Sequence, residues 1–382
     1  MSESTAVGAP RTHVTLSEIY EQPRAIADTL AAYVDTSGDS TILNTEAWAD
    51  VSNVLRGSDR LIIAASGTSR HAGLAGEIMI EETSGVAVDV EYASEYPYRR
   101  YDTLQAPSVL VLSQSGETAD TLLALREATS RGAHTISITN VEGSTMAREA
   151  DATLLTRAGK EVAIAATKSF TTQLVLLHLL SLLLGRERGR LSAAEVADDL
   201  KQLATLPSIL AASLPSWESR MSEIVKSFAT AEAFLFLGRA LHYPIAREGA
   251  LKLKEVSYIH AEAYPTGELK HGPNALLGEG APIVVLATRD DTDPSSVVRY
   301  RKSLQLLEDI AKQRINALVI ASDGDTEIEA VASNVVFVPR VPESLLPILE
   351  VIPLQLFAFF MSLQRGLDVD RPRNLVKAVT VE

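Results

Sequence analysis

The chain has 382 residues, 46% of them apolar, with 35 basic and 49 acidic side chains and a net charge of −14. That is too long for one average domain and apolar enough for large cores. The acidic balance argues against nucleic acid or an anionic membrane as partner. A chain without cysteine has no disulfide, no thiolate metal site and no cysteine nucleophile.

Met1 to Pro10 is polar and small, without the basic-then-apolar pattern of a signal peptide, which predicts a cytoplasmic protein. Residues 14–47 read as a helical segment within an N-terminal unit of residues 1–47. Leu61–Ala65 reads as a strand, followed by Gly67-Thr68-Ser69 and a helix to about Glu82. A second strand is expected near Val86–Tyr92, before Glu95-Tyr96-Pro97. Ala106-Pro107 then leads into Val109–Leu112, a short apolar run that ends in Ser113-Gln114-Ser115-Gly116-Glu117-Thr118 and opens a helix. The first free N–H groups of a helix, with the positive end of its dipole, bind anions. Ser113, Ser115 and Thr118 add hydroxyl donors to the same turn, and the loop holds neither Lys nor Arg. These residues fit a phosphate monoester held by neutral donors. Capping alone would account for one hydroxyl, not three.

Leu174–Leu184 is too short to span a bilayer and reads as a buried helix, with His178 as a core histidine. The first domain is expected over residues 48–190, a helical linker over 191–224, and a second domain over 225–372. The second domain repeats the first. Phe234–Leu237 is a strand, Gly238-Arg239 opens a helix to about Tyr258, and another strand lies near His260–Tyr264. Ala281-Pro282 leads into Ile283–Leu286. Gly67 and Gly238 are 171 apart, and Ala106 and Ala281 are 175 apart. Nearly equal offsets indicate a duplicated domain. Strands alternating with helices indicate an α/β fold, each sheet parallel and covered by helices on both faces.

The duplication is not symmetric in chemistry. In place of Ser-Gln-Ser-Gly-Glu-Thr the second copy has Thr288-Arg289-Asp290-Asp291-Thr292-Asp293, whose aspartates would repel a phosphate. One phosphate site per chain is expected. Leu345–Leu363 is long enough to cross a bilayer, but Pro347, Glu350, Pro353 and Gln355 mark it as a buried helix. Residues 373–382 form a tail carrying Lys377.

Lys252 and Glu255 are three apart on a helix and share a face, which offers a base beside an ammonium. A surface salt bridge is the plainer alternative. His260, Glu262, Glu268 and His271 crowd one short segment, open to acid–base work by His271 or to a metal. Their spacing matches no zinc signature, so no metal is expected. His13, His71, His134 and His242 show no partner. A Walker A loop and a G-x-G-x-x-G motif are both absent, which removes the main support for nucleotide hydrolysis or dinucleotide redox chemistry.

Ser113 to Thr121 resembles the phosphate loop of the sugar isomerase (SIS) domain family. More closely, the chain resembles the isomerase half of the glutamine–fructose-6-phosphate aminotransferases, from about residue 13 onward. The supporting strings are Glu18–Pro23, Ser66–Ser69, Thr167–Gln173, Glu248–Glu255, Ser257–Tyr264, Gly267–Pro273, Arg373-Asn374-Leu375 and Val379–Glu382. The resemblance implies two tandem SIS domains, each a three-layer, flavodoxin-like α/β/α unit, and a C-terminal tail.

It also implies roles. Ser69, Ser113, Gln114, Ser115 and Thr118 would hold the sugar phosphate. Glu255 would shuttle a proton between C1 and C2 with Lys252 beside it. His271 would open the sugar ring in the neighbouring subunit's site, which implies a homodimer with shared sites. Lys377 would form an imine with the open-chain ketose, and no cofactor is needed. Three positions depart from that half: Ile164 replaces a valine, Ala166 a serine and Val376 an alanine, which alters the sugar contacts. The glutaminase half has no counterpart in this sequence. The expected activity is therefore conversion of glucosamine 6-phosphate to fructose 6-phosphate and ammonia. Three alternatives stay open: an ammonia- or partner-dependent synthase subunit, another phosphosugar or fructosamine-phosphate isomerase, and a non-catalytic sugar-phosphate sensor.

Overall fold

The computed structural model describes residues 12–36, 41–100, 107–278 and 280–380. The readings of Met1–Pro10 and of Ala106 as a repeat marker lie outside them. Helix α1 (Val14–Tyr33) leads the chain. The segment expected to be helical to residue 47 is interrupted: Val34–Asp35 pairs antiparallel with Ile42–Leu43. Helix α2 (Thr45–Leu55) then starts where the Asn44 side chain accepts from the Glu46 and Ala47 amides.

The first α/β unit contains β1 (Arg60–Ala65), α3 (Gly67–Ser84), β2 (Ala87–Tyr92) and β3 (Ser108–Ser113). It continues through α4 (Ala119–Ser130), β4 (Thr135–Thr139), α5 (Thr145–Glu149), β5 (Ala152–Leu155) and α6 (Lys168–Glu187). Helix α7 (Ala193–Ile224) begins with a capping box made by Ser192 and Glu195. It leads into β6 (Ala233–Gly238), α8 (His242–Ser257), β7 (His260–Pro265) and β8 (Ile283–Ala287). The second unit ends with α9 (Pro294–Lys312), β9 (Ala317–Ser322), α10 (Thr326–Val331), β10 (Asn334–Val338) and α11 (Leu346–Gln364).

Both sheets are parallel throughout. Their orders are β2-β1-β3-β4-β5 and β7-β6-β8-β9-β10. Within its own unit each reads 2-1-3-4-5, the flavodoxin-like order. The central strands are apolar without alternation because both faces are covered. Leu61, Ile63 and Ala65 face a core shared with α6, whereas Ile62 and Ala64 face Ala124, Leu125 and Ala128 of α4. The core on the α6 side also takes in Phe234 and Phe236 of β6 and residues of α8 and α11, so one apolar body joins the two units.

Helices α6 and α11 are long and apolar enough to cross a membrane by composition, yet both are packed inside the protein. His178 on α6 is buried as expected, with Nε2 2.6 Å from Asp199 of α7. Gly76 allows α3 to meet α6 closely, since a Cβ there would fall 2.9 Å from Leu177.

In a 2-1-3-4-5 sheet the ligand crevice opens where the order reverses, at the carboxyl ends of the first and third strands. The second unit keeps a cavity of about 500 Å³ at that place, but lines it with its own charges, Asp290, Asp293, Arg299 and Glu343. His242, buried after β6, has Nδ1 2.7 Å from Glu350 and Nε2 2.8 Å from Glu343. Arg299 donates to both Glu343 oxygens at 2.8 Å. Asp291 pairs with Arg289, and Asp293 caps α9. Burial pushes the Glu343 carboxyl up, but His242 and Arg299 outweigh it and hold it at about 2. Its unfolded value, 4.5, is higher, so the stabilisation is complete above that value and is lost as pH falls toward about 2. The expected outcome is a melting temperature that drops as pH is lowered through this window, with a shallower drop in Glu343→Gln. Thermal unfolding of both proteins across that range checks it.

Candidate active site

A cavity of about 320 Å³ opens at the reversal point of the first sheet. The turn after β1 supplies Ser66 to Ser69, and the loop after β3 supplies Ser113, Gln114, Ser115 and Thr118. Ile164, Ala166 and Ser169 form a further wall. Lys252 and Glu255 enter from α8 of the second unit, and the tail closes over with Leu375 to Val379. All the residues predicted for the site except His271 therefore line one cavity. His271 is exposed at the end of a 3₁₀ turn, Thr266–His271, and is not among the lining residues. His260, Glu262, Glu268 and His271 do not form a metal-binding group; among the described residues no set of three or more such side chains does.

The loop after β3 is shaped around its own hydroxyls. Ser113 Oγ lies 2.8 Å from Thr118 Oγ1 and 3.4 Å from Ser115 Oγ, and it accepts from the Gly116 amide at 3.2 Å. Thr118 stands at the N-cap of α4, but its side chain makes no capping bond. Capping therefore does not explain the hydroxyls. They converge instead at the positive end of α4, as an anion requires. Gly116 has φ +65°, and a Cβ there would sit 2.2 Å from Ser144 Oγ. The tail is tied to this turn, with Ala119 N–H donating to the Val379 carbonyl at 3.0 Å.

Across the cavity, Lys252 is buried, with Nζ 2.6 Å from Glu255 and 3.4 Å from Glu248. This is no surface salt bridge. Burial lowers the Lys252 pKa, but the two carboxylates outweigh it and raise it, so the ammonium is retained. Lys377 Nζ donates to Glu161 at 2.5 Å. Glu161 is fully buried and also accepts from the Thr167 and Ser169 amides and the Ser169 hydroxyl. Burial raises its pKa, but the Lys377 charge and these donors hold it below the usual carboxylate range.

Sequence reasoning missed Glu161 and Glu248. Glu161 lies in the loop before Thr167-Lys168-Ser169, and only its nearness to that string pointed to it. Glu248 opens the helical string that holds Lys252 and Glu255, one turn before the lysine. Lys168, the first residue of α6, is structural: its ammonium is buried and bonds Glu21 at 2.5 Å and the Lys160 carbonyl at 2.6 Å.

Two parallel sheets in one 2-1-3-4-5 order, with a hydroxyl-lined turn on the first, define a duplicated α/β fold. The chain belongs to the SIS domain family, whose model matches residues 54–183 and 227–365. It is 44% identical to a glutamine–fructose-6-phosphate aminotransferase (isomerizing) of Chlorobaculum tepidum, over 97% of this chain and 58% of that protein. It is 45% identical to one of Bordetella bronchiseptica, over 98% of this chain and 59% of that protein. The chain thus spans less than two thirds of the curated relatives it matches. In structure it resembles the C-terminal domain of glucosamine-fructose-6-phosphate aminotransferase from Francisella tularensis, with TM-score 0.86 and 34% identity, over 96% of this chain and all of that one. It shares the fold of a glucosamine-6-phosphate deaminase from Thermotoga maritima, with TM-score 0.70 and 22% identity, over 96% of this chain and 99% of that one.

The loop geometry sets an expectation for Gly116→Ala. Overpacking against Ser144 and a strained φ cost about 1–3 kcal/mol, and the turn that gathers the hydroxyls is displaced. Chemical denaturation of wild type and Gly116→Ala should show the loss as a lower unfolding midpoint in the variant.

Proposed function

We propose that this site catalyses aldose–ketose isomerisation of a hexose 6-phosphate, and that with a 2-amino sugar it releases ammonia. The observation that carries the proposal is the convergence of an anion loop, the Lys252–Glu255 pair and the tail lysine Lys377 on one cavity. The phosphate is held by the loop hydroxyls and the α4 amides. C1 and C2 of the open-chain sugar then lie toward Glu255 and Lys377.

With glucosamine 6-phosphate, Glu255 takes the C2 proton and returns it to C1. The aldehyde becomes the C1 alcohol and the C2 amine becomes an imine. The Lys252 ammonium stabilises the enolate-like charge that builds between the two steps. Lys377, as a neutral amine, adds to C2 and ammonia leaves. Water then adds to the lysine imine and releases the ketose. In the free state Lys377 Nζ rests 2.5 Å from Glu161. The imine step begins with loss of a proton from Lys377 to water. The tail excludes water from the imine while it lies across the cavity.

The aldose–ketose step is supported by the relatives named isomerizing aminotransferases. The ammonia-releasing direction is supported by the residue set alone, with the deaminase from T. maritima as a likeness of fold. A different hexose 6-phosphate is a second reading, favoured by Ile164 and Ala166, which present only apolar side chains to the cavity.

We also propose that His271 serves the site of a second copy of the chain. It is exposed and lies outside its own chain's cavity, as ring opening in the partner's site would require. Mixing Glu255→Gln chains with His271→Ala chains should recover about a quarter to a half of wild-type activity in mixed dimers. No recovery would contradict shared sites.

The direct test of the reaction is ammonia release from glucosamine 6-phosphate alongside solvent-proton exchange at C1 and C2. Wild type should show both. Glu255→Gln should lose both by at least ~100-fold, the scale of a general base. Lys377→Ala should lose ammonia release. Absence of exchange with every hexose 6-phosphate offered would overturn the isomerase reading.

A further inference from the structure

The Lys252 ammonium has two carboxylates to serve, and a histidine from the other unit bears on how it divides between them. Glu248 is completely buried one turn before Lys252. Its Oε1 accepts from the Thr68 hydroxyl at 2.9 Å and lies 3.4 Å from Lys252 Nζ. Its Oε2 is 2.8 Å from His71 Nδ1. Lys252 Nζ also donates to Thr68 Oγ1 at 3.0 Å and lies 2.6 Å from Glu255. Thr68 and His71 stand on α3 of the first unit, whereas Glu248, Lys252 and Glu255 stand on α8 of the second. The cluster therefore bridges the two.

Three ionised groups in a seam with little water must share their compensation. Burial pushes the Glu248 pKa up, but Lys252 and His71 outweigh it and hold it down, so Glu248 is a carboxylate and His71 Nδ1 is the donor. Without that donor, Oε2 of a buried carboxylate loses the partner it has, and the remaining mobile donor nearby is the Lys252 ammonium. An unsatisfied buried charge costs more than a modest shift of a lysine side chain. Lys252 would then swing toward Glu248 and away from Glu255.

We propose that His71 is a positioning residue: by holding Glu248 it keeps the Lys252 ammonium on Glu255, where the proton is moved. This rests on the isomerase function proposed above. His71 does not line the sugar cavity; it lines a separate hollow on the other side of the seam, beside Tyr243 and Arg247. It touches the reaction only through Glu248 and Lys252.

The experiment compares His71→Ala, which removes the donor, with His71→Asn, whose amide nitrogen takes the place of Nδ1. Proton exchange and turnover are measured with the hexose 6-phosphate that wild type uses, and each variant's denaturation midpoint is recorded. For His71→Ala, kcat should fall roughly 10- to 100-fold, the cost of a misplaced catalytic group. KM should stay within about 2-fold, because the phosphate loop is untouched. His71→Asn should restore kcat to within about 3-fold of wild type. Should His71→Ala not fold, His71→Gln replaces it, since its amide superposes on Nε2 and not on Nδ1. Full kcat without the Nδ1 donor, or an equal loss in His71→Asn, overturns the positioning role and leaves the isomerase reading in place. A wild type without exchange overturns the isomerase reading and this role with it.

Discussion

A buried lysine between two carboxylates, on the seam where one α/β unit meets the other, is the interaction on which the rest depends. Lys252 and Glu248 are both removed from water, and ions so placed are tolerated only when each is met by partners of fixed geometry. Removing one member of such a set costs about 3–5 kcal/mol. The seam therefore demands that α3 and α8 keep their positions. The shared apolar body does this: α6 and α11 pack along the same interface, and Gly76 lets α3 press against Leu177. The catalytic proposal uses an ammonium whose place is enforced by the folding of both units.

The duplicated scaffold explains why the reactive groups come from both halves. Each sheet opens a crevice where its strand order reverses. In the first unit, β3 runs into three hydroxyls and a glycine, and the crevice is open to an anion. In the second, the same place holds Glu343, Glu350, Arg299 and His242 in mutual contact. The cavity left there is walled by Asp290, Asp293, Arg299 and Glu343 instead of by free hydroxyls and a glycine turn. The open crevice then borrows Lys252 and Glu255 from the second unit and Lys377 from the tail. One duplicated plan thus gives two differently lined cavities, and the first takes side chains from both units and the tail.

Local signals were legible where short-range physics decides them. The uninterrupted apolar runs at Leu61–Ala65 and Val109–Leu112 announced strands covered on both faces. Pro347, Glu350 and Pro353 kept α11 out of a membrane and in the core. Ser113, Ser115, Gly116 and Thr118 announced the anion loop, and the spacing of Lys252 and Glu255 announced their pairing. Long-range partners were not legible. Glu161 meets Lys377 over 216 residues of chain, and His71 meets Glu248 over 177. No periodicity reports such a meeting, because it is made by how two domains and a tail pack. The interruption of the leading helix at Val34 was hidden for a related reason: its two-residue ladder depends on pairing with Ile42–Leu43, not on propensity.

The tail binds the account together, because it carries the one nucleophile proposed and covers the cavity that the seam builds. Its lysine rests on Glu161, and the Val379 carbonyl takes the first amide of α4. The most direct measurement of the central claim is to incubate the protein with a ketose 6-phosphate, reduce with borohydride and map the modified lysine by mass spectrometry. The account predicts a single reduced sugar-phosphate adduct on Lys377, lost when Ser113 and Thr118 are both replaced by alanine. An adduct on another lysine, or turnover of the sugar with none on Lys377, would contradict it.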